Sequence, residues 1–247
     1  MRFPRGTGYY FSEMTRSRWY GLKRLIVLFV LTVACAANLT AQDILTADRF
    51  LASVGERYAA IKDYEAKISI TTSKAEMRGT ISHKSPGLLR IDFLKPEEQV
   101  IVFNGETLTV YLPEYRAVLS QSVSGEKKAS GASLASAQGL SIMRRNYVAA
   151  YASGPDPVPL DPDSAEQVIV LLLTRRSLSE GFRELKISVS PETLLIRRIE
   201  GKTIAEEFVS FDFTDMKLDQ GIPEMRFSYD SPASANLFNN FLFNKGE

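Results

Sequence analysis

The residues of this chain that could do chemistry are few, and their spacing assigns most of them other work. His83 is the one histidine among 247 residues. A triad or a metal site needs partners at fixed spacing, and a lone histidine beside Lys84 has none, so it reads as a solvated residue near a strand end. Glu97-Glu98 and Glu206-Glu207 are adjacent carboxylates. Neighbours on a strand point to opposite faces, which makes them poor acid/base partners. Glu97-Glu98 follows Pro96 and reads as a charged turn. Arg144-Arg145, Arg175-Arg176 and Arg197-Arg198 read as an exposed face whose aliphatic stems lie along the sheet. The sequence contains no Gly-rich phosphate loop, HExxH, GxSxG or CxxC. The expectation is a protein without catalytic residues, cofactor or metal.

The first 41 residues have a different character. Six Lys and Arg stand against a single Glu13, then Leu25–Ala37 is apolar except for Thr32. A basic start, an apolar run of about 7–15 residues and a small-residue exit make a secretory signal peptide over residues 1–41. The run is shorter than the roughly 20 residues of a spanning helix. A second reading of the same segment stands beside it: Val33-Ala34-Cys35 resembles the end of a lipobox, with Cys35 acylated and the protein lipid-anchored. Residues 42–247 then form one domain without cysteine. Removing six of 30 basic and one of 29 acidic residues leaves a net charge of −4. Such a balance gives nucleic acid no electrostatic hold, and the lack of cysteine excludes a disulfide framework.

The elements follow from periodicity. Ile44, Leu45, Leu51, Val54, Tyr58 and Ile61 recur at helical spacing over 43–62, with Thr46 or Asp48 as cap. From Tyr64 the period is two. Strands are expected over 64–73, 76–84, 87–94, 99–103, 107–112 and 116–123. Asn104-Gly105 between apolar runs is a strong hairpin signal. A Ser/Gly/Ala-rich stretch leads into a second helical pattern over 140–152, with Leu140, Met143, Tyr147, Val148 and Tyr151 on one side. Residues 154–163 hold four prolines and form a loop. Strands resume over 167–176, 182–190, 194–201, 203–216 and 224–230. The expected class is mainly β: about 11 antiparallel strands, an N-terminal helix and a helical insertion.

Several strands are apolar on both faces, above all Val168–Leu173 and Val100–Phe103. Such a sheet is covered on both sides or encloses something. A curved sheet with a helical cover over an apolar concavity would hold a lipid chain. Plain core fits the same pattern.

The stretch Gly79…Lys84-Ser85-Pro86-Gly87-Leu88-Leu89-Arg90-Ile91-Asp92, then Lys95-Pro96-Glu97-Glu98-Gln99, then Asn104-Gly105-Glu106-Thr107-Leu108-Thr109-Val110-Tyr111-Leu112-Pro113 resembles the LolA-like periplasmic lipoprotein carriers. That resemblance implies an incomplete antiparallel barrel closed by a helical lid. It implies a periplasmic carrier that takes acylated lipoproteins from an inner-membrane ABC-type release complex to an outer-membrane acceptor. On this frame Leu89, Ile91, Phe93, Leu108 and Val110 line the cavity from the sheet, while Leu140, Met143 and Tyr147 close it from the lid. Arg90 and Asp92 face away. The family arginine that holds the lid is replaced by Ser85, and the adjacent Lys84 points elsewhere. Ile91 and Thr109 stand where the family has tryptophans, which implies an aliphatic rather than an aromatic cavity lining. A monomer is expected. The alternatives are a carrier of another envelope lipid and a lipid- or lipoprotein-sensing module of the same fold.

Overall fold

The computed structural model describes residues 45–123, 135–178 and 180–240; the leader expected over 1–41 lies outside them. Helix α1 spans Ala47–Ala59. Thr46 is its cap, accepting from the Arg49 amide at 3.3 Å, and Asp48 sits in the first turn, where a carboxylate meets the positive helix end. Phe50, Leu51, Val54 and Tyr58 make its buried stripe.

Six strands follow as a meander: β1 (Asp63–Thr72), β2 (Glu76–Lys84), β3 (Leu88–Lys95), β4 (Val100–Phe103), β5 (Thr107–Leu112) and β6 (Ala117–Ser122). Helix α2 (Ala137–Asn146) and strands β7 (Tyr147–Tyr151) and β8 (Val158–Pro159) precede a second meander, β9 (Gln167–Arg175), β10 (Phe182–Val189), β11 (Ile196–Thr203) and β12 (Phe208–Leu218). Strand β13 (Asn236–Asn239) comes last. All 13 strands belong to one open sheet, in the order β13-β6-β5-β4-β3-β2-β1-β12-β11-β10-β9-β7, with β8 on β9. Pairing is antiparallel except β13 on β6, and the meanders meet at the β1–β12 seam. The sheet is therefore mainly antiparallel and incomplete as a barrel, as expected.

Alternation selects the inner face. On β1, Tyr64, Ala66, Ile68 and Ile70 are buried, while the residues between them are more exposed. Register slips bend the sheet at Glu65/Lys67, Arg78/Gly79 and twice along β10–β11. At Gly79 an added Cβ would stand 2.3 Å from the Asp92 carbonyl oxygen, so only glycine lets β3 approach there. The β4–β5 turn is the expected Asn-Gly hairpin: Gly105 has φ +92°, and the Asn104 side chain accepts from the Thr107 amide at 2.8 Å.

Both faces are covered. Val100, Val102 and Val118 are buried on the outer side of the first meander. After β12 the chain turns on Asp63, which accepts from the Gln220 and Gly221 amides at 2.7 and 3.2 Å. It then crosses β3 as a strap. Lys84 donates to the Ile222 carbonyl at 2.6 Å, and Arg90 to the Arg226 and Ser228 carbonyls at 3.2 and 3.1 Å. Arg226 pairs with Asp92, and Phe227 is fully buried. On the second meander the proline-rich loop plays this part: Arg198 pairs with Asp161 and Asp212, and Arg197 with Glu166.

Several expectations change. The helical pattern ends at Asn146, and Tyr147–Tyr151 is a strand on β9. Tyr147 and Tyr151 are four apart, which satisfies both periods, so spacing could not separate them. Residues 224–230 hold a short 3-10 turn, Glu224–Phe227, and no strand. Strand β12 already has β1 and β11 beside it, so the chain beyond it has no edge to join there. Thr203–Met216 is two strands' worth of chain with a turn at 204–207, which holds Glu206-Glu207. The Arg197-Arg198 doublet is a loop clamp rather than an exposed face.

Candidate functional site

The candidate site is the apolar interior between the inner face of the sheet and helix α2. Cross-strand pairing writes its floor as rows. One runs Leu119, Val110, Ile101, Ile91, Ile81, Ala66 from β6 to β1. Its neighbour runs Leu108, Phe103, Leu89, His83, Tyr64. Strands β9–β12 extend the floor with Leu171, Leu173, Leu185, Ile187, Ile199 and Phe213, all at most 2% exposed.

Of the residues expected to line a cavity, Leu89, Ile91 and Phe93 are buried and belong to a single core cluster with Leu140, Met143 and Tyr147. Leu108 packs against that cluster half-buried. Val110 shares the row of Ile91 through its pairing with Ile101 but is itself half-buried, toward the β13 edge. Tyr147 stands on β7 instead of the lid, and its hydroxyl donates to the Phe182 carbonyl at 3.1 Å. It is a wall residue fixed to β10.

Helix α2 lies over the floor. Ser136 caps it, accepting from the Gly139 amide at 3.0 Å, and Leu140 and Met143 are its buried side chains. It packs mainly on α1, and less on β7. Arg144 pairs with Asp48 of α1 at 3.2 Å, an exposed contact of small worth. At its start the Tyr64 hydroxyl donates to the Ala135 carbonyl at 2.8 Å, in a buried bond across 71 residues of chain.

Ser85 and Lys84 do not reach the lid by any described bond. The Ser85 amide donates to the Lys62 carbonyl, and Lys84 is on the strap. The side chain of Gln138 reaches the β2–β3 turn beside Gly87. Tyr64, through the Ala135 carbonyl, ties the start of α2 to the sheet. Alternation with Ala66, Ile68 and Ile70 could have placed it inward; its bond to Ala135 had no sequence signal.

His83 corrects the sequence reading most. It is 6% exposed, stacked on Tyr64 with ring centroids 5.1 Å apart and planes 19° apart. Burial pushes its pKa down to about 4, so the imidazole is neutral at neutral pH. It shares parity with Gly79 and Ile81, a period-two signal that marked it as inward. Tyr58, from α1, accepts from the Ile196 amide at 3.1 Å, and burial pushes its phenol far up. Among the described residues no group of three His, Cys, Asp or Glu is placed to hold a metal ion.

No curated protein matches the chain. An uncharacterized conserved protein from Thermus thermophilus superposes with TM-score 0.51 at 13% identity, over 76% of this chain and 98% of that one. A LolA superfamily protein from Nitrosomonas europaea gives TM-score 0.40 at 17% identity, over 74% and 98%. The lipoprotein LppX of Mycobacterium tuberculosis gives 0.45 at 8% identity, over 70% and 97%. The family model described as outer membrane lipoprotein carrier protein LolA matches residues 67–230. That span runs from inside β1 to beyond the 3-10 turn of the strap and takes in most of the floor, α2 and most of the seam, and on it the chain belongs to the LolA family.

Proposed function

We propose that this protein carries acyl chains, those of lipoproteins, through the periplasm from an inner-membrane ABC-type release complex to an outer-membrane acceptor. Residues 42–247 act in this reading as one exported, monomeric carrier domain behind a signal peptide. The observation that supports it is a broad apolar floor roofed by a ten-residue helix whose start is tied to the sheet by one buried hydrogen bond. Each buried methylene is worth about 0.8 kcal/mol, so an acyl chain leaves a membrane only for comparable apolar surroundings. In the closed arrangement Leu140 and Met143 fill that space. A chain enters as α2 lifts and replaces their contacts with its own. The exchange keeps binding loose enough to reverse.

The test is a release assay. The purified protein is added to spheroplasts of its own source bearing labelled new lipoproteins. A soluble acylated complex in the supernatant supports the reading. Lipid extracted from the protein without lipoprotein release replaces lipoprotein with another envelope lipid. If neither forms, the interior is core alone and the carrier reading falls.

A further inference from the structure

The interior has a polar end. Among the described residues, the buried side-chain atoms without a hydrogen-bond partner are the Ser82 hydroxyl, one Arg175 nitrogen and both ring nitrogens of His83. Ser82 faces outward by strand parity, and Arg175 is the half-buried last residue of β9. His83 stands within the apolar floor, between Tyr64 on β1 and Leu89 on β3. The other polar groups of this region are engaged. The Tyr58 hydroxyl meets the Ile196 amide, Tyr64 the Ala135 carbonyl, Tyr147 the Phe182 carbonyl, and the Gln121 amide the Ser122 carbonyl. A buried imidazole with a free donor and a free acceptor is costly to keep. Phenylalanine would pack on Tyr64 without that cost.

We propose that His83 is the polar anchor for the ligand, its ring N–H donating to the carbonyl of the ester or amide that joins an acyl chain to its head group. The proposal rests on the carrier reading and names the ligand chemistry of that same interior. Stacking on Tyr64 fixes the plane of the imidazole, which an anchor requires and a solvated histidine lacks. The row beyond His83, through Leu89, Phe103 and Leu108, offers only hydrocarbon, so a chain held at its carbonyl by His83 lies along that row. Lifting α2 takes the Ala135 carbonyl away from Tyr64 and frees a second donor beside the first.

The anchor selects by charge. The groups described against His83 are the neutral Tyr64 and Leu89 from the flanking strands. Desolvation, with no charged neighbour, sets the titration of the ring. A free fatty carboxylate would enter without a counter-charge, whereas a neutral ester or amide carbonyl needs only the hydrogen bond.

The single histidine makes the test direct. The protein, labelled with 15N-histidine, is titrated with three pyrene-tagged probes of equal chain length: a methyl ester, the free acid and the plain alkane. The expected result is a shift of the one pair of ring nitrogen signals with the ester and none with the alkane. The ester should also bind about 10-fold more tightly than the alkane. His83→Phe should abolish that preference while keeping the affinity for the alkane. Ring signals that ignore the bound ester overturn the proposal without any substitution, as does a His83→Phe protein that retains the preference. Alkane binding with no ester preference removes the anchor and leaves the carrier. Binding of none of the probes removes the carrier and the anchor with it.

Discussion

The two helices lie on the same sheet, yet they are held in different ways. Helix α1 is bolted at its C-terminal half, where Tyr58 takes the Ile196 amide and Arg57 donates to the Thr193 carbonyl at 3.3 Å, and just beyond it, where the Lys62 amide donates to Asp219 at 2.8 Å. Its buried residues Leu51 and Val54 have no exposure. Helix α2 has two large apolar side chains in the interior, one exposed ion pair, the Tyr64 bond at its start and two bonds at its last residue, Asn146, which accepts from the Arg176 amide at 2.8 Å and donates to Glu180 at 3.0 Å. Helix α1 is tied to β11 and the turns beside it, whereas α2 is tied to β1 at its start and to the chain after β9 at its end. In the proposed carrier reading α1 supports the floor and α2 is the cover.

The comparison breaks or sharpens at four positions. The largest effect is expected at Leu51→Ala, which should lower unfolding stability by about 3–4 kcal/mol with no gain in acyl-probe binding. Urea denaturation and a fluorescent probe read both; a gain in binding would make α1 a second cover.

Acid should act next, through His83. Its folded pKa of about 4 lies below the ordinary 6.5. Above pH 6.5 the ring is neutral in both states and has no effect. As pH falls from 6.5 the unfolded form takes up the proton first, so stability drops, levelling off below about 4 with a loss on the order of 3 kcal/mol. The difference between the native protein and His83→Phe isolates this from the carboxylates. A flat difference between about pH 7 and pH 4 would mean that the ring is already solvated.

Leu140→Ala should cost less than Leu51→Ala, about 2 kcal/mol, and should speed uptake of an acyl probe, since it weakens the closed state alone. An equal loss with no faster uptake would erase the distinction between the helices. The smallest effect is expected for Tyr64→Phe, about 1 kcal/mol. Hydrogen exchange at the Leu140 amide should quicken about 5-fold, with the Phe50 amide of α1 unchanged. Equal acceleration at both would show that they open together.

Much of this was written in the chain. Alternation located most of the strands, and Asn104-Gly105 placed a hairpin. The strand parity of Leu89, Ile91 and Phe93 put them inside, and that of Arg90 and Asp92 outside. What escaped was decided by distance along the chain. Whether Arg197 and Arg198 meet solvent depends on a loop 31 to 37 residues earlier. Whether Tyr147 extends a helix depends on the free edge of β9, and whether 224–230 makes a strand depends on β12 having none. His83 escapes for a different reason. Its residue type points to solvent, whereas its parity with Ile81 and its pairing opposite Tyr64 place it inside.

The seam between β1 and β12 has a consequence for how the chain is made. It joins residues 63–72 to residues 208–218, so the middle of the sheet is assembled from nearly opposite ends of the domain. During synthesis from the N-terminus the first meander is complete long before its partner exists. Until residue 218 has emerged, β1 presents a bare edge beside Ile68 and Ile70, a template for pairing with any other chain. Closing so long a loop makes the seam a late and slow event. The nascent protein therefore carries an unpaired apolar edge through most of its synthesis, and the second meander is what closes it.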